Sequence, residues 1–273
     1  MTERRPLILL TNDDGVQARG LRVLRQAALA VGDVVIVAPT REQSAQSHAI
    51  TLDRPLRHIE HEPDVHSIDG TPADCVYLAL FEQRFLRRRP DIVLSGINAG
   101  YNLGTSVFYS GTIAAAREAA LRGIPALAFS APPDIDLQPL QEIVTSLARA
   151  FAQSAPQAST TPLLNVNFPA GTCKGVRVTR VGRQVYDEQV IPRIDPNGRE
   201  YFWIGGRVTE STEPEGTDAH AVLLGYVSVT PLALDSTNAD HWETAANIVE
   251  AFPHAGSAGS AGTKETNRDR NGK

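Results

Sequence analysis

The chain predicts an α/β fold: a mostly parallel sheet with helices on both faces, followed by a β-rich C-terminal part with a protruding hairpin. Three observations carry this. Short, continuously apolar runs alternate with longer amphipathic ones, as strands buried on both faces alternate with covering helices. Polar, glycine-bearing junctions follow several of the apolar runs. After Pro169 the alternation stops and extended segments take over. Residues 1–169 are therefore expected as the core, 170–253 as a β-rich hairpin with C-terminal oligomerisation elements, and 254–273 as a disordered tail of Gly, Ser, Thr and charge.

Leu7–Leu10 reads as a strand and Gly20–Val31 as a helix. Asp33–Ala38 is a second strand, closed by Pro39, and Ile50–His61 and His66–Ile68 look extended. Pro72–Phe85 reads as a helix, with proline in its first turn and Asp74 near its N-terminus. Asp91–Leu94, Ala126–Phe129 and Leu163–Val166 read as strands, separated by helices over Thr112–Leu121 and Gln138–Ala152. Beyond Pro169, Val176–Val181 and Val190–Ile204 are β-rich, with Asp195-Pro196-Asn197-Gly198 as a turn between two arms. Val222–Thr230 reads as a strand and His241–Phe252 as a helix. A long hairpin cannot bury itself alone, so this arm points to contact with another subunit.

The 273 residues suffice for a large core, and 42% hydrophobic with 21% charged content is ordinary for a globular protein. A net charge of −5 gives no basic field for nucleic acid or an anionic membrane, so neither DNA nor membrane is expected as a partner. The cluster Arg84–Arg89 reads as a solvated helix end. Two cysteines, Cys75 and Cys173, make no disulfide framework and no metal spacing. A cytoplasmic location is expected, because no apolar run is long enough for a bilayer and the N-terminal one meets carboxylates at once.

The chemistry concentrates at strand ends. Leu7–Leu10 runs into Asn12-Asp13-Asp14-Gly15. Adjacent carboxylates in a confined site repel each other and lose solvation, and a hard divalent cation resolves both problems. The same letters also describe a β-turn with an Asx cap. Ser44 lies in the loop Pro39–His48, either as a hydroxyl ligand or as solvent-facing filler. Asn98, in Gly-Ile-Asn-Ala-Gly, can lend an uncharged oxygen to a metal or sit in a left-handed turn. Ser110-Gly111-Thr112 opens a helix, either as a phosphate cradle of free N–H groups or as a plain N-cap. His48 is either an acid–base group or a satisfied loop histidine. Parallel topology brings such junctions to one sheet edge.

Absences narrow the chemistry. No Gly-x-Gly-x-x-Gly follows a strand, and there is no Walker-type Gly-Lys-Ser/Thr and no Gly-x-Ser-x-Gly elbow. An aspartyl-phosphate mechanism needs Asp two residues before a second Asp, but Asn12 holds that slot before Asp14. Activated water is then the better attacking group.

Taken together, these segments resemble the SurE family of survival-protein nucleotidases. The similarity runs from about Leu7 to Phe252, through Thr11–Gly15, Ser44 with Ile50-Thr51-Leu52, Gly70–Val76, Ser95–Gly104 and Tyr109–Thr112. It continues at Asp195-Pro196, Trp203–Gly206, Gly216-Thr217-Asp218 and Val227–Leu232. The resemblance implies a Rossmann-like catalytic core and a homodimer or homotetramer with exchanged C-terminal elements. It implies one divalent metal ion per subunit (Mg, Mn or similar) on Asp13, Asp14, Ser44 and Asn98, with phosphate contacts at Asn102, Ser110, Gly111 and Thr112. It further implies hydrolysis of nucleoside 5′- and 3′-monophosphates, and in some members the trimming of polyphosphate. Three positions depart from the family pattern: Arg19 where proline is usual, Ala45 after Ser44, and Ser106 where an Asp is frequent.

The expected activity is phosphomonoester hydrolysis by metal-activated water, with Asp13, Asp14, Asn98 and Ser110 as catalytic residues and Asp14 orienting the water. A non-catalytic metal- and nucleotide-binding regulator is the alternative, told apart by binding without turnover. A nucleotide-sugar transferase ranks third, since the chain offers no donor-specific acidic motif.

Overall fold

Strand β1 (Leu7–Thr11) is buried at every position, with Ile8 and Leu10 facing one apolar layer and Leu7 and Leu9 the other. The computed structural model describes residues 4–183, 186–208 and 213–251. The remaining strands are β2 (Asp33–Pro39), β3 (His58–Glu62), β4 (Val65–Ile68), β5 (Ile92–Ala99), β6 (Ala126–Ala131), β7 (Leu163–Asn167), β8 (Val176–Val178), β9 (Tyr186–Ile194), β10 (Glu200–Val208) and β11 (Val227–Pro231). The α-helices are α1 (Arg19–Leu29), α2 (Pro72–Phe81), α3 (Gly111–Leu121), α4 (Gln141–Ser154), α5 (Asp218–Leu223) and α6 (Trp242–Glu250).

The main sheet has the order β3-β4-β2-β1-β5-β6-β7-β11-β8. The run from β4 to β7 is parallel, while β3 and β11 pair antiparallel to their neighbours β4 and β7. Helices α1 and α4 cover one face through Leu21, Leu24, Val144 and Phe151. Helices α2 and α3 cover the other through Val76, Ala79, Ile113 and Ala116. From β1 the chain steps to β2 on one side and later returns to β5 on the other. The crevice beyond the carboxyl ends of β1 and β5 is thus the topological switch point, where ligands bind in such sheets.

Helix α2 begins in a capping box. Thr71 Oγ accepts from Asp74 N at 3.1 Å, and Asp74 Oδ2 accepts from Thr71 N at 2.9 Å. Asp74 also accepts from Thr51 N and Thr51 Oγ at 2.9 and 2.6 Å, tying the preceding loop to the helix. Asp74→Ala strips Thr71 N, Thr51 N and Thr51 Oγ of their acceptor. It should cost about 2–4 kcal/mol, read as a lowered urea midpoint with unchanged slope.

The hairpin β9–β10 pairs Tyr186 with Val208 through Ile194 with Glu200, and Asp195 Oδ1 accepts from Asn197 N and Arg199 N at 2.8 Å each in its turn. Val190, Ile194, Phe202, Trp203 and Ile204 remain exposed. Residues 235–251 belong to a separate compact unit in which none of α6 is buried.

Several boundaries differ from expectation. Between Ile50 and His61 only His58 onward is a strand. Helix α2 stops at Phe81, so Arg84–Arg89 lie in the following loop, where Arg84, Arg87 and Arg88 pair with Glu82, Asp64 and Asp91. Strand β5 continues past Leu94 to Ala99. Val222 and Leu223 end helix α5, capped by Thr217, and the strand starts only at Val227. An apolar run does not by itself tell helix from strand; the cap and Gly225, at φ +86°, decide it. Strands β8 and β11 join the main sheet, so the segment after Pro169 extends the core sheet as well as forming the hairpin. The tail 254–273, together with Phe252, lies outside the described residues.

Candidate active site

Strand β1 ends by sending its two aspartates to different places. Asp13 is turned inward and is 5% exposed, while Asp14 is half-buried. Asp13 Oδ1 accepts from Thr112 Oγ at 2.5 Å, so the buried carboxyl abuts the first turn of α3. Burial pushes its pKa up to about 6; Thr112 opposes this and the charge of Asp14 adds to it. Burial also raises Asp14, against the N–H of Ala99, which donates to Oδ2 at 3.1 Å; the charge of Glu42 raises it further. Asn12 anchors the turn through Nδ2 to Gly15 O at 2.9 Å, and Gln43 N donates to Asp13 O at 2.8 Å. The loop carrying Ser44 is thereby held against the end of β1.

Asp14, Ser44 and Asn98 line one cleft of about 350 Å³, together with Arg19, Glu42 and Ile135. Ser44 Oγ donates to Glu42 Oε1 at 2.8 Å. Asn98 Nδ2 donates to Gly100 O at 2.9 Å, which commits the amide nitrogen and leaves Oδ1 as its acceptor. Behind these, Ser110 caps α3 by accepting from Ile113 N at 3.1 Å, so it fills the plain N-cap role, and its hydroxyl proton has no acceptor among the described residues. A Cβ at Gly111 would stand 3.0 Å from Asp13 Cβ and 3.1 Å from Pro72 Cγ, so the backbone approaches the carboxyl closely there. The α3 N-terminus thus lies directly against the buried carboxyl, an arrangement that suits negative charge.

Asn102 stands apart from this cluster. Its Nδ2 donates to Ser130 Oγ at 2.8 Å, its N donates to Asn167 Oδ1 at 2.9 Å, and its carbonyl accepts from Asn165 Nδ2 and Asn167 Nδ2. It is the hub of a buried amide network that sets the loop after β5. The same loop is pinned from Asp218, fully buried, whose Oδ2 accepts from Gly104 N at 3.0 Å while Oδ1 accepts from Gly182 N at 2.8 Å. His48 is satisfied away from the cleft, with Nε2 2.9 Å from Glu118 Oε2.

Sequence reasoning passed over Glu42, Asn165, Asn167 and the pinning role of Asp218. Two asparagines in the otherwise apolar Leu-Leu-Asn-Val-Asn strand were a signal, because a buried amide needs partners.

The carboxylate pair tests well for a hard cation. Burial and mutual charge disfavour ionising both acids, and a divalent ion removes that penalty. No group of three His, Cys, Asp or Glu side chains gathers among the described residues. An ion here would rest on two carboxylates completed by amide, hydroxyl, water and phosphate oxygens, the shell Mg-like ions prefer.

Sheet order and cleft together define a doubly wound α/β protein with an acidic, oxygen-rich site at its switch point. The chain belongs to the SurE family: the family model Survival protein SurE matches residues 8–188. It is 50% identical over 240 residues to the 5′-nucleotidase SurE of Sorangium cellulosum, covering 87% of this chain and 93% of that one. It is 45% identical over 251 residues to 5′-nucleotidase SurE 1 of Thermus thermophilus, covering 89% and 98%. The crystal structure of the SurE protein from Aquifex aeolicus superposes with a TM-score of 0.79 at 39% identity, covering 89% of this chain and all of that one.

Proposed function

We propose that this cleft is the active site of a divalent-metal-dependent 5′-nucleotidase, a phosphoric monoester hydrolase acting on nucleoside monophosphates. The nucleotidase assignment rests on relatives of that name at 45–50% identity across most of the chain. One observation carries the metal reading: Asp14, Ser44 and Asn98 meet on one cleft, above a buried Asp13 whose carboxyl is pushed up to about 6.

A bound divalent cation supplies Lewis-acid charge and a more acidic attacking water. Asp13 and Asp14 hold it as carboxylates, and Ser44 and Asn98 add neutral oxygens. Asp14, the more exposed acid, orients the attacking water. Ser110 with the N–H groups of Gly111 and Thr112 holds phosphoryl oxygens, where fixed donors count most as charge develops. The 3′-phosphate and terminal polyphosphate activities that family resemblance implies use the same site. The exposed apolar hairpin supports a homodimer or homotetramer. The unpaired cysteines Cys75 and Cys173 fit a reducing cytoplasm, and no described helix is long and apolar enough to cross a membrane.

The test is phosphate release from AMP, GMP and 3′-AMP with Mg, Mn or EDTA, for wild type and Asp13→Asn. Release should need the metal and fall by about three orders of magnitude or more in the variant. Release that survives both EDTA and the substitution overturns the reading. AMP binding without release under any metal moves the chain to a regulatory role.

A further inference from the structure

Arg19 stands where the family pattern has proline, and the proposed hydrolysis leaves it without a task. It lines the cleft of Asp14, Ser44 and Asn98. It also lines a neighbouring cleft of about 240 Å³ with Arg22, Gln26, Asp136 and Gln138. Arg19 and Leu137 belong to both walls, so the two clefts adjoin.

Arg19 and Arg22 are three residues apart on α1 and share a face, with Gln26 one turn further along the stripe. Both guanidinium groups are exposed, and neither has a hydrogen-bond, carboxylate or ring partner among the described residues. Arg25, on the same helix, is by contrast committed to Glu62 at 2.8 Å. The start of α1 is held firmly beside Asn98, because Ile97 O stands where a Cβ of Gly20 would be. One acid faces the second cleft, Asp136, and its Oδ1 accepts from Gln138 N at 3.1 Å. Charge therefore changes sign along the groove, from Asp14 and Glu42 at one end to two arginines against one aspartate at the other. A nucleoside monophosphate has its single anionic group at the acidic, metal-binding end and nothing to offer the arginines. Guanidinium groups are suited to phosphate oxygens.

We propose that Arg19 and Arg22 form a second anion subsite, holding a phosphate of the substrate other than the one hydrolysed. The inference rests on the reading of the Asp14–Asn98 cleft as the phosphoryl site. Nucleotides phosphorylated at two ribose positions and short polyphosphate chains share the required chemistry. Either binds with its scissile phosphate among the carboxylates and a second phosphate against α1.

The experiment measures kcat and KM for AMP, adenosine 3′,5′-bisphosphate, tripolyphosphate and p-nitrophenyl phosphate at constant free Mg. Wild type is compared with Arg22→Gln and with the double variant Arg19→Gln/Arg22→Gln, after thermal melts confirm that each is folded. Wild type should prefer a doubly phosphorylated substrate over AMP, and the double variant should lose about tenfold of that preference through KM rather than kcat. Arg22→Gln should lose part of it. Loss with the bisphosphate identifies a nucleotide as the source, and loss with tripolyphosphate identifies a polyphosphate. An unchanged preference in the double variant, or an equal fall for all four substrates, overturns the subsite. If wild type releases phosphate from no monoester, the phosphoryl-site reading is what has failed. Calorimetric titration of adenosine 3′,5′-bisphosphate then decides the subsite: weaker binding by the double variant supports it, and equal binding overturns it.

Discussion

Asp13→Asn should stabilise the metal-free protein while ending its activity. The folded Asp13 carboxyl has its pKa pushed up to about 6 from 3.8, mainly by burial. Below the unfolded value both states carry the proton and the group is neutral to stability. As pH rises through about 6 the buried group must ionise, and the stability tied to its bound proton is lost. The full penalty is about 3 kcal/mol at neutral pH. Asparagine removes the charge and still offers Thr112 an acceptor. Without metal, the variant should therefore melt several degrees above wild type at pH 7.5, and the gap should shrink towards pH 4. Adding Mg should raise the wild-type melting temperature and leave the variant nearly unmoved. Scanning calorimetry across pH, with and without Mg, checks all three parts. A variant that melts below wild type at pH 7.5 without metal contradicts the account. The same raised pKa makes protons compete with the cation, so phosphate release at limiting metal should fall as pH drops below about 6.

Among the described glycines, Gly20→Ala should be the most damaging. Its Cβ would fall 1.8 Å from Ile97 O and 2.8 Å from Ile97 C, both backbone atoms. No rotamer change relieves that clash, so α1 must lift off the end of β5. The cost should be about 3 kcal/mol or more, since a packed interface has no space to give. Leu21 and Leu24, fully buried on α1, would lose packing in the same movement. The site would suffer too, because Arg19 and Asn98 flank the contact. Urea unfolding should show a much lower midpoint or no soluble protein, and any folded fraction should release phosphate slowly. A wild-type midpoint would show that the helix start is looser than the packing indicates.

Both effects depend on how local signals meet across the sheet. Strands β1 and β6 were legible because a strand buried on both faces reads as a near-continuous apolar run, here Leu7–Leu10 and Ala126–Phe129. The clustering of polar junctions at one edge follows from parallel topology, so the placing of Asp14, Ser44 and Asn98 together was within reach of the sequence. The α5–β11 boundary was not, because Val222 and Leu223 are apolar in either state and the Thr217 cap and Gly225 separate them.

Asn102 marks the limit of motif reading. Its motif places it next to the site, but its partners Ser130, Asn165 and Asn167 lie 28 to 65 residues away in the chain. The apolar strand around Asn165 and Asn167 marks them as needing partners, but no local pattern pairs them with Asn102. Short-range periodicity and motif identity were enough to read the layered α/β architecture and the family, since neither depends on which distant segments meet. The unequal burial of Asp13 and Asp14, the Asp218 anchor on Gly104, and the lack of partners for Arg19 and Arg22 among the described residues came into view only in three dimensions. Burial, charge and hydrogen-bond partnership belong to pairs of distant segments, and they exist only once the sheet has assembled.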